Sequence, residues 1–386
     1  MRYARRITPA LLVALMATVA SVTPAAGVRQ QRFISTSGIP HHDVAAGYGH
    51  GVRSMGRRWR VAIDTAIGQI ASENPDEVLH GGDMVGGRWG QDVDRPKAGV
   101  FGPTGTHKQR IAALRAAGDF YYRQNKRWWA RHGLDPHFGI GDHEYGDLGP
   151  PKPEFNARAV PAWRDVWSRH FVAGRGYLRP ASGQHAKTAY ATMLEGGRVG
   201  LVSLDPVARV DGVVRARIGR AQMAWLDEVL DDLRSRGADF LIVQSEIPAR
   251  GPNRAVASSR MLLENGDALW DLLAAHGVDL LLSGEFHDMT THTNDGRTPV
   301  QVVHGGQLYR GTVSYLRIDV HEDRLTLLLR AMDGTRDTAS PQVWAPSRFR
   351  ARRDVRLRPG VRDAGTMTIW SDGRLTNRSG RLREGI

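Results

Sequence analysis

The stretch Pro136–Asp147 reads PHFGIGDHEYGD and places three ionisable side chains directly after a short apolar run. The run leads into Gly141, and Asp142, His143 and Glu144 follow in succession. This pattern is typical of a short buried strand that ends in a tight turn. In open α/β sheets, ligands bind at the carboxyl ends of the strands. A loop with a helix cap and solvated charges is the alternative interpretation of this stretch taken alone.

Three other apolar segments end on a carboxylate in the same way. They are Glu77–Asp83 (EVLHGGD), Phe240–Glu246 (FLIVQSE) and Leu280–Glu285 (LLLSGE), and the last is followed by Phe286 and His287. A buried charge is costly unless it is paired or binds a metal ion. Four acids at one sheet edge would repel one another strongly unless a cation lay between them. The four strand ends therefore predict a metal site.

The composition is that of a folded, soluble protein with one large domain or two ordinary ones. The chain has 386 residues, of which 41% are hydrophobic and 24% are charged. It contains no cysteine. Disulfides, thiolate metal ligands and a cysteine nucleophile are therefore excluded.

The first 26 residues match a secretory signal. Arg2, Arg5 and Arg6 precede an apolar segment over residues 7–22, and small residues follow it. This segment is short for a membrane-spanning helix, and no later stretch approaches the roughly 18 consecutive apolar residues that such a helix needs. We therefore expect cleavage near residue 26, no transmembrane helix in the mature chain, and a secreted or cell-envelope location.

Much of the positive charge lies at the C-terminal end. Residues 346–386 contain eleven arginines against four acids, in a chain whose net charge is +13. We interpret this segment as a solvated, arginine-rich extension. Binding of nucleic acid or of an anionic surface by the extension is the alternative. The extension has few aromatic residues, however, so the stacking of bases is not indicated.

Between these ends, the apolar pattern alternates between strand and helix periodicity. Residues 188–194 and 198–204 read as two strands of a hairpin, joined by a Glu-Gly-Gly turn. Helices are predicted over residues 59–71, 108–132, 162–171, 221–235 and 261–275. We interpret the aromatic residues of the second of these helices as core. The alternation predicts a layered α/β domain over residues 27–345.

In order and spacing, the strand-end motifs resemble the calcineurin-like metallophosphoesterases over about residues 30–335. The blocks of that family are Asp-x-His, Gly-Asp, Gly-Asn-His-Glu or -Asp, a lone His after an apolar strand, and Gly-His-x-His. Gly82-Asp83 matches the second block, and Gly141–Glu144 matches the third, with Asp142 in place of asparagine. The resemblance implies an α/β fold of the metallo-dependent phosphatase type, a four-layer αββα sandwich.

The remaining blocks match with substitutions. Glu246 stands at the position of the lone histidine, and Glu285 replaces the first histidine of the last block, which ends at His287. The first block falls near residues 37–39, where both its carboxylate and its histidine are missing. The nearby side chains of His41, His42 and Asp43 are possible replacements if the loop turns back, and this alternative stays open.

The resemblance implies a metal site formed by Asp83, Asp142, Glu246 and Glu285. It also implies a depleted second site that keeps Asp83 and His287. Oxygen ligands suit Mn, Mg or Ca better than Zn. We therefore expect one tightly bound divalent cation, and a second metal that is weak or absent.

In this family, metal ions clamp the phosphate and activate the attacking water. The resemblance implies that His143 contacts the phosphate or protonates the leaving oxygen. The first hypothesis is a secreted enzyme that hydrolyses a phosphate mono- or diester. The alternative is a catalytically impaired binding protein with one structural cation. The missing first block favours the alternative, whereas the retention of His143 and His287 favours the enzyme.

Two further histidines follow apolar runs. We interpret His80, just before the Gly-Gly-Asp turn, as a residue that supports the metal ligands or as a structural one. For His304, a place in the pocket lining and a place in the packed core are equally compatible with the sequence. Substrate specificity depends on loops, here mainly residues 86–106 and 146–187, and their sequences do not identify a substrate.

Overall fold

The computed structural model describes residues 30–40, 57–87, 101–146, 154–251, 261–306, 308, 310–336, 356–358 and 360–383. The predicted signal segment and the loop that contains His41, His42 and Asp43 lie outside the described residues, and so do most of loop 86–106 and residues 147–153. Within the described residues, no helix has the length and apolar character needed to cross a membrane.

Fifteen strands and five α-helices are found in the described residues. In chain order they are β1 (Gln31–Thr36), α1 (Arg57–Ala71), β2 (Glu77–His80), α2 (His107–Arg131), β3 (His137–Phe138), α3 (Glu154–Phe171), β4 (Tyr190–Met193), β5 (Val199–Ser203), β6 (Val207–Val210), β7 (Val213–Ala216), α4 (Arg220–Ser235), β8 (Phe240–Gln244), α5 (Gly266–Ala275), β9 (Leu280–Ser283), β10 (Thr290–Asn294), β11 (Arg297–Val303), β12 (Arg310–Val320), β13 (Arg324–Arg336), β14 (Arg362–Trp370) and β15 (Leu375–Thr376). Single 3₁₀ turns cover His143–Tyr145 and Gly380–Leu382.

The first sheet has the strand order β15-β14-β13-β12-β1-β2-β3. Strands β1, β2 and β3 run parallel, and β1 also pairs antiparallel with β12, with Thr36 opposite Tyr315. The carboxyl ends of β1, β2 and β3 therefore lie at one edge of the sheet. This edge carries Ser37, Asp83 and Asp142, each a few residues beyond the end of its strand.

The second sheet has the strand order β10-β11-β9-β8-β5-β4. Its four inner strands run parallel, and β4 and β10 pair antiparallel at the edges. Glu246 follows β8, and Glu285 follows β9. The predicted hairpin is confirmed, because β4 and β5 pair antiparallel, from Tyr190 opposite Ser203 to Met193 opposite Gly200.

The two sheets form the central layers of a sandwich. Alternate residues of β8 belong to different hydrophobic clusters: Leu241 and Val243 pack with α4 and α5, and Phe240 and Ile242 join the cluster that contains the first sheet. Residues of helices α1, α2 and α3 also belong to the cluster that contains the first sheet. The predicted four-layer αββα arrangement is therefore confirmed, with helices outside both sheets.

Helix α2 carries the aromatic side chains that the sequence placed in the core. Tyr121, Tyr122, Trp128 and Trp129 are all at most 1% exposed. The helix begins at a capping box, in which Thr106 accepts a hydrogen bond from the Gln109 backbone N–H and the Gln109 side chain accepts one from the Thr106 N–H. The core interpretation of these aromatic residues is confirmed.

The prediction of a solvated C-terminal extension is wrong for residues 361–383. Strand β14 pairs antiparallel with β13, and its Met367 and Ile369 are fully buried. The apolar residues of β14 alternate with threonines, which is the pattern of a strand with one buried face. The strand was not predicted because the high arginine content was interpreted as the sign of a solvated segment. The predicted domain boundary near residue 345 lies outside the described residues.

Two other differences concern helices and turns. Helix α5 begins at Gly266 and not at residue 261, and α3 begins at Glu154 and not at residue 162. The hairpin of β6 and β7 was not predicted. Its turn is Asp211-Gly212, with φ of 50° and 80°, and Asp-Gly between two apolar runs is a hairpin signal that the sequence does contain.

Candidate metal centre

The centre is built where two loops of the first sheet touch. An added Cβ at Gly141 would lie 2.1 Å from Oδ1 of Asp83, and one at Gly139 would lie 2.4 Å from the Gly81 carbonyl oxygen. Asp83 itself has a left-handed φ of 56°, an uncommon conformation for a residue with a side chain. Only glycine at positions 139 and 141 allows the loop after β3 to approach Asp83 this closely.

Glu144 fixes the shape of these loops. Its buried carboxylate accepts hydrogen bonds from the backbone N–H groups of Asp83 (2.9 Å), Met84 (2.9 Å), Val85 (3.4 Å) and Gly141 (2.7 Å). Three of these amides lie in the loop after β2 and one lies in the loop after β3, so the Glu144 side chain holds the two loops against each other. Glu144 therefore acts on the centre by positioning Asp83, and its oxygens are used by the backbone.

Two groups of possible metal ligands share Asp83. In one group, ligand atoms of Asp83, Glu246 and Glu285 all lie within 4.8 Å of one another. In the other, the same limit holds for Asp83, Asp142 and His143. The resemblance implied that all four carboxylates surround one metal ion. The structure brings the same four acids together but distributes them over two adjoining groups.

The carboxylates of the first group raise one another's proton affinity. Burial, followed by the charges of Glu246 and Asp142, raises the pKa of Asp83 well above its usual range. Burial also raises the pKa of Glu246 to about 8, and the charge of Glu285 adds to this, against a lowering by the Ser37 hydroxyl. A divalent cation would remove this repulsion and favour the ionised carboxylates.

The residues present fit a divalent cation that prefers oxygen ligands. Oδ1 of Asp142 is buried and, among the described residues, has no hydrogen-bond partner. Such a buried acceptor requires a compensating donor or cation. The lack of a side chain at Gly284 leaves space for the carboxylate of Glu246, because an added Cβ would lie 2.3 Å from Oε1 of Glu246. The set is dominated by carboxylates, which suit Mn, Mg or Ca.

His143 presents one ring nitrogen to the centre. Its Nδ1 lies 3.0 Å from the carbonyl oxygen of Gly86, which only accepts, so Nδ1 carries the proton of this hydrogen bond. In the neutral ring, Nε2 is then the basic atom, and it lies 4.0 Å from Oδ2 of Asp83. The imidazole is partly exposed. This geometry permits a metal ligand as well as the catalytic role suggested by the resemblance.

Ser37 occupies the position where the first block was expected. Its hydroxyl donates a hydrogen bond of 2.5 Å to Oε2 of Glu246. Within the described residues 30–40 no carboxylate or histidine is present. A neutral donor therefore lies beside a buried acid at the position where the resemblance predicts two metal ligands.

His287 is in neither group of possible metal ligands found in the described residues. It has a left-handed φ of 49°, and its backbone N–H donates to the carbonyl of Gly284 at 3.1 Å. The turn thus places His287 just after Glu285, at the same sheet edge. A metal-binding role for His287 stays a prediction.

His80 is the last residue of β2 in the first sheet, His304 follows β11 of the second sheet, and both are buried. Nε2 of His80 lies 3.2 Å from the Ile39 carbonyl and Nδ1 accepts from the Gly82 N–H, while Nε2 of His304 lies 2.8 Å from Oγ of Ser35. Burial lowers the pKa of each ring to about 4, so both are neutral. His80 is structural, and His304 belongs to the packed core.

A buried polar network behind His143 was missed from the sequence. Oδ2 of Asp205 accepts hydrogen bonds from the hydroxyl of Tyr145 (2.7 Å), Nε of Arg164 (2.9 Å) and the hydroxyl of Thr188 (2.6 Å). Arg164 holds the pKa of Asp205 below its usual range against the effect of burial. The network anchors Tyr145, two residues from His143, to α3 and to the end of β5.

These pKa values predict how the stability of the metal-free protein depends on pH. The folded-state pKa of Glu246, about 8, lies above its unfolded value, so the folded protein holds a proton that the unfolded chain has released. Its free energy of unfolding should therefore fall as the pH rises towards 8, by at most about 1.4 kcal/mol per pH unit for each such group. His80 and His304, whose folded-state pKa values are lowered by burial to about 4, act in the opposite direction until about pH 7.5, one unit above the ordinary histidine value of 6.5. Above about pH 7.5 both rings are neutral in both states, and the fall due to Glu246 can be measured.

Urea unfolding in the presence of a chelator, between about pH 7.5 and about pH 9, measures this effect. Glu246→Gln should flatten the dependence, because the amide does not titrate. Saturating Mn or Ca should also flatten it, because the bound cation keeps the carboxylates ionised. Stability that is constant or rises with pH in the metal-free wild type would contradict the assignment.

No family model matches this sequence, and no curated protein matches it. Among solved structures, a dimetal phosphatase from Danio rerio is similar, with 14% identity, a TM-score of 0.48, and coverage of 77% of this chain and 95% of that one. The purple acid phosphatase PPD1 from yellow lupin shows 13% identity and a TM-score of 0.48, with coverage of 78% and 51%. GAP50 of Plasmodium shows 13% identity, a TM-score of 0.37, and coverage of 79% and 84%. These likenesses concern the fold alone.

Proposed function

We propose that this protein is a secreted, metal-dependent hydrolase of phosphate esters. The observation that carries the proposal is the position of Asp83, whose carboxylate belongs to both groups of possible metal ligands. A carboxylate shared between two adjoining groups suits a centre that holds either one cation or a closely spaced pair. The proposal covers mono- and diesters alike.

The chain's own residues define what each group would hold. Asp83, Glu246 and Glu285 would hold one divalent cation through oxygen atoms alone, with Mn, Mg or Ca favoured over Zn. Asp142 and His143, with Asp83, would hold a second or complete the first. When bound, a divalent ion supplies a Lewis acid for the phosphate and an acidic water molecule.

His143 is proposed as the residue closest to the reacting phosphate. The hydrogen bond from Nδ1 to the Gly86 carbonyl holds the ring in one orientation and leaves Nε2 on the side of Asp83. A protonated Nε2 can donate to a phosphate oxygen or to the leaving oxygen. A neutral Nε2 can bind a metal ion. Either role explains a partly exposed histidine among buried acids.

A binding protein with one structural cation is the second candidate. The observation that favours it is Ser37, whose hydroxyl is bonded to Glu246 where the family pattern has two metal ligands. Loss of those ligands would leave Asp83, Glu246 and Glu285 able to hold a cation without a second one beside it. Secretion, proposed from the N-terminal segment, is compatible with both candidates.

The metal content of the purified mature protein, with and without added Mn and Ca, is the first test. It is paired with hydrolysis of p-nitrophenyl phosphate and of the bis ester, and with the same assays after chelation. We expect bound Mn, Mg or Ca in preference to Zn, and turnover that disappears with the chelator and returns with Mn. One cation per chain with no turnover on either ester would favour the binding protein.

A further inference from the structure

A basic groove lies between two outer helices and the segment that follows α3. Its volume is about 570 Å³, and its walls come from α2, α3 and residues 172–189. The lining residues are Arg115, Asp165, Ser168, Arg169, Arg179 and Lys187. None of them belongs to the two groups of possible metal ligands in the described residues. We call this feature the basic groove.

Asp165, the acidic residue of the groove, pairs with two cationic side chains and offsets only one of their two positive charges. Asp165 lies 3.4 Å from Nη2 of Arg115 and 2.5 Å from Nζ of Lys187. One carboxylate therefore holds two cationic side chains that come from different elements. Both cations remain exposed, by 47% for Arg115 and 61% for Lys187, and keep donors directed towards solvent.

The remaining cations add further positive charge. Arg169 is paired with Asp119 at 3.3 Å, but Asp119 also accepts from Nε2 of His170 at 2.8 Å. Arg179 is exposed, and no carboxylate in the described part of the chain forms an ion pair with it. The groove thus has an excess of guanidinium and ammonium groups on three sides.

We propose that the basic groove binds a small anion that carries two or more phosphate groups. Guanidinium groups match phosphate oxygens through paired hydrogen bonds, and lysine adds a point charge. Cations that converge from three elements need an anion with several charged groups to contact them all at once. The volume is within the range of small-molecule sites, about 300–1,000 Å³. Inorganic polyphosphates and nucleoside polyphosphates share this chemistry.

No lining residue belongs to either group of possible metal ligands in the described residues, so binding to the groove can be tested on the metal-free protein. Isothermal titration of the full protein, freed of metal with EDTA and then dialysed to remove the EDTA, would compare inorganic tripolyphosphate, orthophosphate and ATP. We expect tripolyphosphate to bind at least about tenfold more tightly than orthophosphate, because more cations are engaged at once. ATP binding as tightly as tripolyphosphate would support recognition of the phosphates, and tighter ATP binding would identify a nucleotide as the ligand. No binding of either polyphosphate would overturn the proposal.

The variant Arg115→Gln/Arg169→Gln removes two exposed charges from the groove. It should weaken tripolyphosphate binding by about tenfold, as loss of two partly screened contacts predicts. The control Arg215→Gln/Arg236→Gln removes two arginines that are similarly exposed and ion-paired, at 3.2 Å and 2.8 Å, on other surfaces. The control should bind as the wild type does. Equal weakening by both variants would show diffuse attraction to a basic protein and would refute the site.

A single substitution gives a second, independent measurement. Arg179→Gln breaks no ion pair in the described residues, so a loss of binding cannot come from a rearranged surface network. We expect a several-fold loss of tripolyphosphate affinity, with hydrolysis of p-nitrophenyl phosphate unchanged. Unchanged tripolyphosphate binding in both groove variants would overturn the assignment, whatever the outcome for the metal centre.

Discussion

Asp83→Asn should abolish metal-dependent hydrolysis, because it removes the one carboxylate shared by both groups of possible ligands. We expect the affinity for the metal to fall at least about 100-fold. Loss of a residue that only supports a metal ligand already costs up to about 100-fold, and Asp83 is itself a possible ligand. At a metal concentration of about 100 times the wild-type dissociation constant, the wild type gains about 2.7 kcal/mol of stability. The variant should then gain only about 0.4 kcal/mol.

The same substitution should leave the metal-free protein at least as stable as the wild type. Burial and neighbouring acids raise the pKa of Asp83 well above its usual range, so the neutral amide resembles the form that the metal-free site already favours. Differential scanning calorimetry with and without Mn measures both effects. The control is Asp279→Asn, a buried acid whose pKa burial raises to about 7 and which lies outside both ligand groups. Wild-type hydrolysis by Asp83→Asn would refute the proposed centre.

Glu144→Gln should be among the most destabilising single substitutions in the domain. Four backbone N–H groups donate to the two carboxylate oxygens, and the amide nitrogen of glutamine cannot accept from any of them. Donors left without an acceptor in a buried site cost free energy, and we expect a loss of about 3–4 kcal/mol in the free energy of unfolding. Urea unfolding at pH 7 measures the loss.

The effect of Glu144→Gln should also reach the metal. The Asp83 N–H is one of the four donors, so the loop that carries the shared ligand becomes less well held, and metal affinity should fall by about 10- to 100-fold. The exposed pair of Glu264 and Arg215, 3.2 Å apart, provides the control: Glu264→Gln should cost less than about 1 kcal/mol and leave metal binding intact. A Glu144 variant as stable as this control would contradict the positioning role.

The acids of the centre could be predicted because their position depends on a simple pattern. Asp83, Glu246 and Glu285 each follow a short apolar run; Asp83 lies beyond β2 of the first sheet, and Glu246 and Glu285 lie beyond β8 and β9 of the second. Parallel strands bring their carboxyl ends together whatever the side-chain details. The apolar runs were therefore sufficient to find these residues, but the expectation that the acids share one sheet edge was wrong, because the strand ends of two different sheets meet at the centre.

Which acids are possible metal ligands, and which support the backbone of the site, could not be predicted. Asp142 and Glu144 are two positions apart in one turn, yet one has a buried oxygen without a hydrogen-bond partner in the described residues and the other accepts from four amides. The difference follows from the direction of each side chain and from the left-handed backbone at Asp83. Neither property follows from residue type or spacing, so the sequence alone does not separate ligand from support.

The pairing of β1 with β12 has a consequence for how the protein is made. The N-terminal strand lies inside the first sheet, between β2 and β12, and Thr36 pairs with Tyr315. During synthesis, β1 therefore leaves the ribosome long before the strand that completes its hydrogen bonding. Sheets closed by such distant pairings form slowly, and their strand edges stay exposed meanwhile. The edge that carries Ser37 and Asp83 is accordingly completed late, after nearly the whole domain has been translated.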